Sequence, residues 1–225
     1  MKMMKKTITL LLITIAIYSC KNAEKKEGKK TLSNTEQVAQ AAGFDNWDAI
    51  KEVKFTFSVG KMGRNLYDRN WTWNRHTGDV TLIASPDTVH YNRRQPMDSI
   101  QTSADRAFVN DIYWLLPEFK FITDSGTKIV EKSNAVAPIS KDTLDMFTIV
   151  YSNDGGYTPG DAYDVYYDKK HNLREWVYRQ QNDTTIGMMT TFEKFDTING
   201  IKVATDHRTP DRMTRIHLTN IEFNK

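Results

Sequence analysis

The alternation of hydrophobic and polar residues predicts β-strands over most of the chain from residue 53 onward. Val53, Phe55, Phe57 and Val59 alternate with polar residues, which is typical of a strand with one buried face. Similar short runs, separated by turn residues, predict strands at 71–73, 80–83, 88–91, 119–122, 127–133, 144–151, 163–167, 173–179, 185–195, 201–208 and 212–223. Strands joined by short turns favour a meandering antiparallel sheet.

Two segments have helical periodicity instead. The first starts at the capping-box pattern Ser33–Glu36 and ends at Gly43, a residue typical of helix C-termini. The second spans 99–116 and should end at Pro117. Its apolar residues recur on one helical face: Ala104, Phe108, Ile112 and Leu115. The predicted fold class is therefore mainly β with two helical segments (α+β).

The amino terminus has the order of a secretory signal. Three lysines within residues 1–6 precede an apolar run at 7–17, and Cys20 follows closely. A run of 11 residues is shorter than the roughly 20 that a transmembrane helix needs. Ile17–Cys20 resembles a bacterial lipobox, although Tyr18 replaces the short residue that is usual there. The resemblance implies cleavage before Cys20 and lipidation of its thiol; an ordinary secreted protein with a chance cysteine is the alternative.

These features divide the chain into three parts. Residues 1–19 are the predicted lipoprotein signal peptide, and residues 20–33 are the lipidated cysteine with a flexible charged tether. Residues 34–225 are predicted to form a single domain. Two lipid groups on Cys20 would attach the protein stably to a membrane.

Charge and cysteine content exclude several classes of protein. Residues 31–225 carry 23 Lys and Arg against 26 Asp and Glu, so the predicted domain is slightly acidic. A nucleic-acid partner bound through phosphate neutralisation is therefore not expected. Because Cys20 is the single cysteine, the chain can form no intramolecular disulfide.

No motif of known catalytic mechanism occurs in the sequence. It contains no Gly-x-Ser-x-Gly, no Gly-x-Gly-x-x-Gly and no Gly-Lys-Ser/Thr phosphate loop. The five histidines are not paired at the spacing of helical metal ligands. We therefore predict no catalytic residue, no metal site and no cofactor.

Aromatic and methionine residues provide the remaining indication of function. The large rings either fill the core or line a ligand cavity: Trp71, Trp73, Trp114, Trp176, Tyr163, Tyr166, Tyr167 and Tyr178. Segments 146–151 and 186–189 are apolar on both faces, and methionine suits an adaptable apolar pocket. The candidate ligand-cavity residues are Phe55, Phe57, Trp73, Phe108, Met146, Phe147 and Met188.

The order of these elements resembles the lipoprotein carrier and receptor (LolA/LolB-like) superfamily. Several stretches are similar to a family of Bacteroidota-type envelope lipoproteins for which no activity is established: Trp71–Trp73, Thr77–Thr81, Phe108–Pro117, Asn199–Val203 and Leu218–Ile221. The resemblance implies a curved antiparallel sheet that forms an incomplete β-barrel with helices over its concave face. It also implies an envelope location, and it brings no catalytic residue.

The sequence leaves three functions open. The leading expectation is a non-enzymatic, lipid-anchored protein that binds a lipid or other hydrophobic ligand in a half-barrel cavity. The first alternative is an interaction module that presents its sheet to an envelope protein or a glycan. The second is a hydrolase or metal enzyme whose site is assembled from separate strands. The expected location is the outer membrane facing the periplasm, with exposure at the cell surface as the alternative.

Overall fold

The computed structural model of the protein describes residues 31–154, 157–185 and 187–225. The signal peptide predicted at 1–19, Cys20 and the tether as far as residue 30 lie outside these residues, so they stay predictions. Contacts group Leu32–Lys225 as one unit. We therefore expect residues 32–225 to fold without the residues before them.

The described residues contain three α-helices, two 3-10 helices and twelve β-strands. The α-helices are α1 (Asn34–Ala41), α2 (Ser99–Leu115) and α3 (Pro117–Thr123), and the 3-10 helices are Phe44–Ala49 and Gln180–Asn182. The strands are β1 (Glu52–Lys61), β2 (Arg64–Asn74), β3 (Asp79–Ala84), β4 (Asp87–Asn92), β5 (Thr127–Val136), β6 (Thr143–Tyr151), β7 (Ala162–Tyr167), β8 (Leu173–Arg179), β9 (Met188–Thr191), β10 (Glu193–Ile198), β11 (Ile201–Arg208) and β12 (Thr214–Asn224).

The strands form two antiparallel sheets that do not close into a barrel. The seven-stranded sheet has the order β10-β11-β12-β1-β2-β3-β4, and the five-stranded sheet has the order β5-β6-β7-β8-β9. Only Phe192 separates β9 from β10, so this segment passes from one sheet into the other. The mainly β, α+β class is confirmed, and the predicted single sheet is divided in two at this residue.

Local sequence signals explain the helix ends. Ser33 and Asp98 each accept a hydrogen bond from the third residue of the helix, and both capping boxes are complete. Gly43 follows α1 with φ of 88°, in the left-handed region. A Cβ at Gly43 would lie 2.0 Å from the carbonyl oxygen of Gly200, so no other residue fits this close approach between α1 and the β10–β11 turn.

A buried ion pair fixes α2 against the seven-stranded sheet. Asp111 on α2 is fully buried and accepts hydrogen bonds from Arg69 Nε at 2.7 Å and Arg69 Nη2 at 2.5 Å. Trp71 Nε1 donates to the same carboxylate at 2.7 Å, and Asn110 Nδ2 donates at 2.9 Å. The carboxylate is thereby saturated with donors, which a buried charge requires.

One predicted strand is wrong. Residues 119–122 form part of α3 and not a strand. Pro117, which was expected only to end the preceding helix, also occupies the first turn of the next one, where its missing N–H costs nothing. Phe119 and Phe121 of α3 are buried, and Phe119 contacts Trp47 of the first 3-10 helix with ring centroids 5.2 Å apart.

Candidate functional site

A cavity of about 350 Å³ lies between α2 and the five-stranded sheet. It is lined mainly by rings and apolar side chains, and we call it the aromatic cavity. Its lining residues are Arg106, Val109, Asn110, Tyr113, Trp114, Tyr157, Thr158, Tyr163, Trp176, Tyr178 and Met188. Ligand sites in proteins span roughly 300–1,000 Å³, so this cavity suits a small or slender apolar ligand.

Regular secondary structure sets both walls of the aromatic cavity. The helix contributes one continuous face of α2, at positions i, i+3, i+4, i+7 and i+8 from Arg106. On the sheet, Tyr163 of β7 lies directly opposite Tyr178 of β8, and Tyr178 lies opposite Met188 of β9. Trp176 is two residues from Tyr178 and therefore faces the same side. Rigid elements thus position all these side chains except Tyr157 and Thr158, which lie outside regular secondary structure.

The rings of the wall contact one another edge-on or tilted. Trp114 and Trp176 have centroids 4.7 Å apart, and Tyr163 lies 5.0 Å from Trp176 and 5.3 Å from Tyr178. Tyr113 stacks on Tyr163 at 5.8 Å. Such pairs stabilise a wall beyond the contribution of buried area alone, so the cavity has a defined shape.

The hydroxyl groups of two wall tyrosines, Tyr113 and Tyr178, are hydrogen-bonded to other polar groups. Tyr178 donates to Asp161 at 2.7 Å, and Tyr113 hydrogen-bonds both Tyr151 and Asp124. Burial raises the pKa of Tyr113 far above its usual range, and burial together with Asp161 raises the pKa of Tyr178 to about 12. These phenols are neutral at physiological pH and present their ring faces to the cavity.

In the part of the chain that the structure describes, Arg106 is the only charged residue of the cavity lining. It is exposed, and its guanidinium lies 5.4 Å from the ring centroid of Tyr157. Tyr157 is held by a hydrogen bond from its hydroxyl to Asp105 at 2.8 Å. Among the described residues, Arg106 has no acidic ion-pair partner. A positive charge therefore lies at the rim of an otherwise uncharged cavity.

A second, more polar cleft of about 350 Å³ adjoins the aromatic cavity. The two share four lining residues, Val109, Tyr113, Tyr157 and Thr158. The polar cleft is also lined by Arg93, which pairs with Asp105 at 2.8 Å, and by Lys120, which pairs with Asp124 at 2.5 Å. Both cations of this cleft are thus paired with an acid, unlike Arg106.

Of the seven ligand-cavity candidates predicted from sequence, only Met188 lines the aromatic cavity. Four are fully buried in the hydrophobic core: Phe55, Phe57, Phe108 and Phe147. Trp73 packs on that core with its ring 5.4 Å from Phe108, and Met146 lies on β6 opposite Tyr166 of β7. The structure therefore does not bring these seven residues together around one opening.

Residues outside the predicted set form most of the cavity wall. Four of the rings noted in the sequence do line it, namely Trp114, Trp176, Tyr163 and Tyr178. The signal for the helix wall was a second stripe on α2, where Val109 and Tyr113 are spaced four residues apart beside the core stripe. The stripe through Phe108 faces the core, and this neighbouring one faces the cavity.

Within the described ranges, no group of three or more His, Cys, Asp and Glu residues is placed to hold a metal ion. In the same part of the chain, no helix has the length and apolar character to cross a bilayer.

Similarity to known proteins is found among solved structures. No family model matches the chain, and no curated protein matches it. The chain is similar to the crystal structure of the LolA superfamily protein NE2245 from Nitrosomonas europaea. The two share 7% sequence identity with a TM-score of 0.45, over 86% of this chain and 95% of that one.

Proposed function

We propose that the protein is a lipid-anchored envelope protein whose folded part binds an apolar ligand, such as a fatty acyl chain, in the aromatic cavity. The observation that carries this proposal is the cavity itself, which has walls of fixed rings and only one charged lining residue. Apolar lining with a few placed polar groups is the usual design of a small-molecule site.

The proposed role is binding without chemical conversion. The hydroxyl groups of Tyr113 and Tyr178 are hydrogen-bonded and, with raised pKa values, are poor nucleophiles and poor bases. Lipidation at Cys20 and a position on the outer membrane facing the periplasm belong to the same proposal, supported by the lipobox-like sequence Ile17–Cys20.

Native mass spectrometry of residues 32–225 tests the proposal. We expect a reproducible adduct of lipid mass that is lost after organic extraction. Val109→Trp places an indole in the cavity, and the overpacking should cost roughly 1–3 kcal/mol when ligand is bound. Each 1.4 kcal/mol weakens ligand binding about tenfold, so ligand occupancy should fall. Ile100→Trp is the matched control, because Ile100 lies on the same helix and is 65% exposed. Equal adducts in both variants would place the ligand elsewhere.

An interaction module is the second candidate, favoured by the edge strand β5. Val130 and Val136 of this strand are 52% and 64% exposed, and its outer edge is not paired within the five-stranded sheet. A partner strand can add to such an edge. A clean apo mass in the experiment above, with no adduct under gentle conditions, would favour this candidate over ligand binding.

A further inference from the structure

A third opening, of about 320 Å³, lies where the β1–β2 turn meets the β11–β12 turn. We call it the arginine cleft, because four of the eleven arginines of the chain line it. Its lining residues are Gly60, Gly63, Arg64, Asn65, Arg208, Arg212, Met213, Arg215 and His217, with no acid among them. This concentration of guanidinium groups occurs in a domain that is slightly acidic overall.

Strand register places Arg208 and Arg215 on one face of the seven-stranded sheet. Arg208 of β11 lies opposite Arg215 of β12, and Gly60 of β1 lies opposite Arg215 on the other side. Gly60 carries no side chain, so the cleft has bare backbone at this position. A Cβ there would lie 3.3 Å from the carbonyl oxygen of Arg64.

One buried carboxylate orients the cluster without neutralising it. Asp206 is fully buried and accepts a hydrogen bond from Arg215 Nε at 2.8 Å. It also pairs with Arg208 at 3.3 Å and with Lys194 at 3.2 Å, so three cations surround one anion. Within the described part of the chain, the terminal nitrogens of Arg215 make no hydrogen bond and Arg64 makes no ion pair.

The fourth arginine is more fully compensated. Arg212 donates through both terminal nitrogens to Glu193, at 3.0 and 3.2 Å; Arg212 is exposed and Glu193 is half-buried. Arg64 and Arg215 are therefore the groups with donors available for an added anion. A guanidinium presents parallel donors that match the oxygens of a phosphate group.

Exposed apolar side chains lie beside the arginine cleft. Met62 is 71% exposed and Met213 is 49% exposed, and the N–H of Met62 donates to the carbonyl oxygen of Met213 at 2.8 Å. Leu66 and Tyr67, further along β2, are 57% and 44% exposed. Apolar side chains next to cations are the arrangement that suits the boundary between lipid headgroups and acyl chains.

We propose that the arginine cleft binds the phosphate group of an anionic phospholipid headgroup, so that this end of the domain lies against a membrane surface. Arg64 and Arg215 contact the phosphate, and Met62 and Met213 enter the outer part of the acyl layer. The inference does not depend on an occupied aromatic cavity.

Flotation of residues 32–225 with phosphatidylcholine vesicles containing phosphatidylglycerol tests the proposal. Each basic side chain at an anionic surface contributes roughly fivefold to binding, so the double variant Arg64→Gln/Arg215→Gln should bind about 25-fold more weakly. The charge-matched control is Lys128→Gln/Lys132→Gln, on exposed positions of β5. It should bind as the unaltered protein does. Equal losses in the two double variants, or no loss in the first, would overturn the proposal.

Two further measurements test this interpretation independently. Arg64→Gln alone removes an exposed side chain without an ion pair, so its expected loss of about fivefold does not depend on the Asp206 cluster. Vesicles in which oleate replaces phosphatidylglycerol, matched in zeta potential, separate recognition of an anionic phospholipid headgroup from general charge attraction. Weaker binding to the oleate vesicles supports the phosphate site, and equal binding to both kinds of vesicle refutes it.

Discussion

The aromatic cavity and the arginine cleft are openings of similar size with opposite chemistry. Their volumes are about 350 and 320 Å³, yet one is lined by rings and the other by guanidinium groups. In the aromatic cavity, hydroxyl groups such as that of Tyr178 are hydrogen-bonded to protein atoms, so the ring faces remain available to a ligand. In the arginine cleft, Arg215 is held through Nε, and its terminal donors remain. Volume alone therefore does not determine what each opening can bind. The chemistry of the groups that make no bond within the protein determines it: ring faces in one opening and guanidinium donors in the other.

Strand β11 contributes to both regions through alternate residues. His207 faces inward, where its ring lies 5.2 Å from that of Trp114 in the cavity wall. Asp206 and Arg208 point to the other side, toward the arginine cleft. Burial lowers the pKa of His207 to about 4. Burial also acts to raise the pKa of Asp206, but hydrogen bonds from Arg215 and Lys194 outweigh it and hold that pKa below its usual value.

The largest expected effect is a loss of folding stability when α2, a wall of the aromatic cavity, loses its buried ion pair. Asp111→Ala leaves Arg69 without its partner, and breaking a buried pair costs about 3–5 kcal/mol. Urea unfolding measures this loss. Because α2 lines the aromatic cavity and contributes nothing to the arginine cleft, the folded fraction should lose apolar ligand and retain vesicle binding.

Asp87→Ala is the control for this substitution, since Asp87 is exposed on the edge strand β4. Its effect should stay within about 0.5 kcal/mol, as for most surface substitutions. A loss below about 1 kcal/mol for Asp111→Ala would show that the pair with Arg69 does not hold α2 in place.

The next largest effect concerns the pH dependence of folding stability, to which two buried groups contribute in opposite directions. His207, with its pKa lowered to about 4, contributes stability above pH 6.5 that is lost as the pH falls toward 4. Glu118 on α3 has its pKa raised by burial to about 7, so its contribution is present below pH 4.5 and lost as the pH rises toward 7. Between pH 4.5 and 6.5 the two slopes oppose each other.

Single variants should reveal these opposed slopes. In Glu118→Gln the free energy of unfolding should rise by roughly 3 kcal/mol between pH 4.5 and 7 relative to the unaltered protein. In His207→Gln it should fall by a similar amount between pH 4 and 6.5. Urea titrations at each pH measure both. Parallel curves for the two variants would contradict the assignment.

The smallest expected effect concerns the single positive charge at the rim of the aromatic cavity, in contrast to the four arginines of the arginine cleft. Arg106 is the single cation at the aromatic cavity, so Arg106→Gln should weaken binding of dodecanoate up to about fivefold and leave dodecanol unchanged. Displacement of a fluorescent fatty acid measures both affinities. Arg94→Gln, outside the cavity lining, is the control. An equal loss for the acid and the alcohol would show that Arg106 acts through shape and not through charge.

Periodicity predicted most of the fold and little of the site. Alternation located β1, and the stripe through Phe108 identified the core face of α2. The candidates Phe55 and Phe147 were buried as expected for such positions, but a sequence pattern does not distinguish a filled core from a cavity wall. That distinction depends on the spacing between α2 and β7–β8, which tertiary packing sets.

The arginine cleft was missed for a different reason. Arg64 and Arg215 are about 150 residues apart in sequence, and only the β1–β12 pairing brings them together. Arg208 and Arg212 flank one predicted turn, which is the only local sign of the cluster. No periodic pattern marks a site whose members come from two separate turns.

Inward-facing and outward-facing residues alternate along β11, so both the aromatic cavity and the arginine cleft depend on the correct strand register. A shift of one residue in the pairing of β11 with β12 would turn Arg208 or Asp206 toward the rings around Trp114 and would expose His207. A charge buried among aromatic rings without a partner is strongly unfavourable. Misregistered chains are therefore penalised on both faces at once, so the same residues that distinguish the two openings also select the native alignment of the strand during folding.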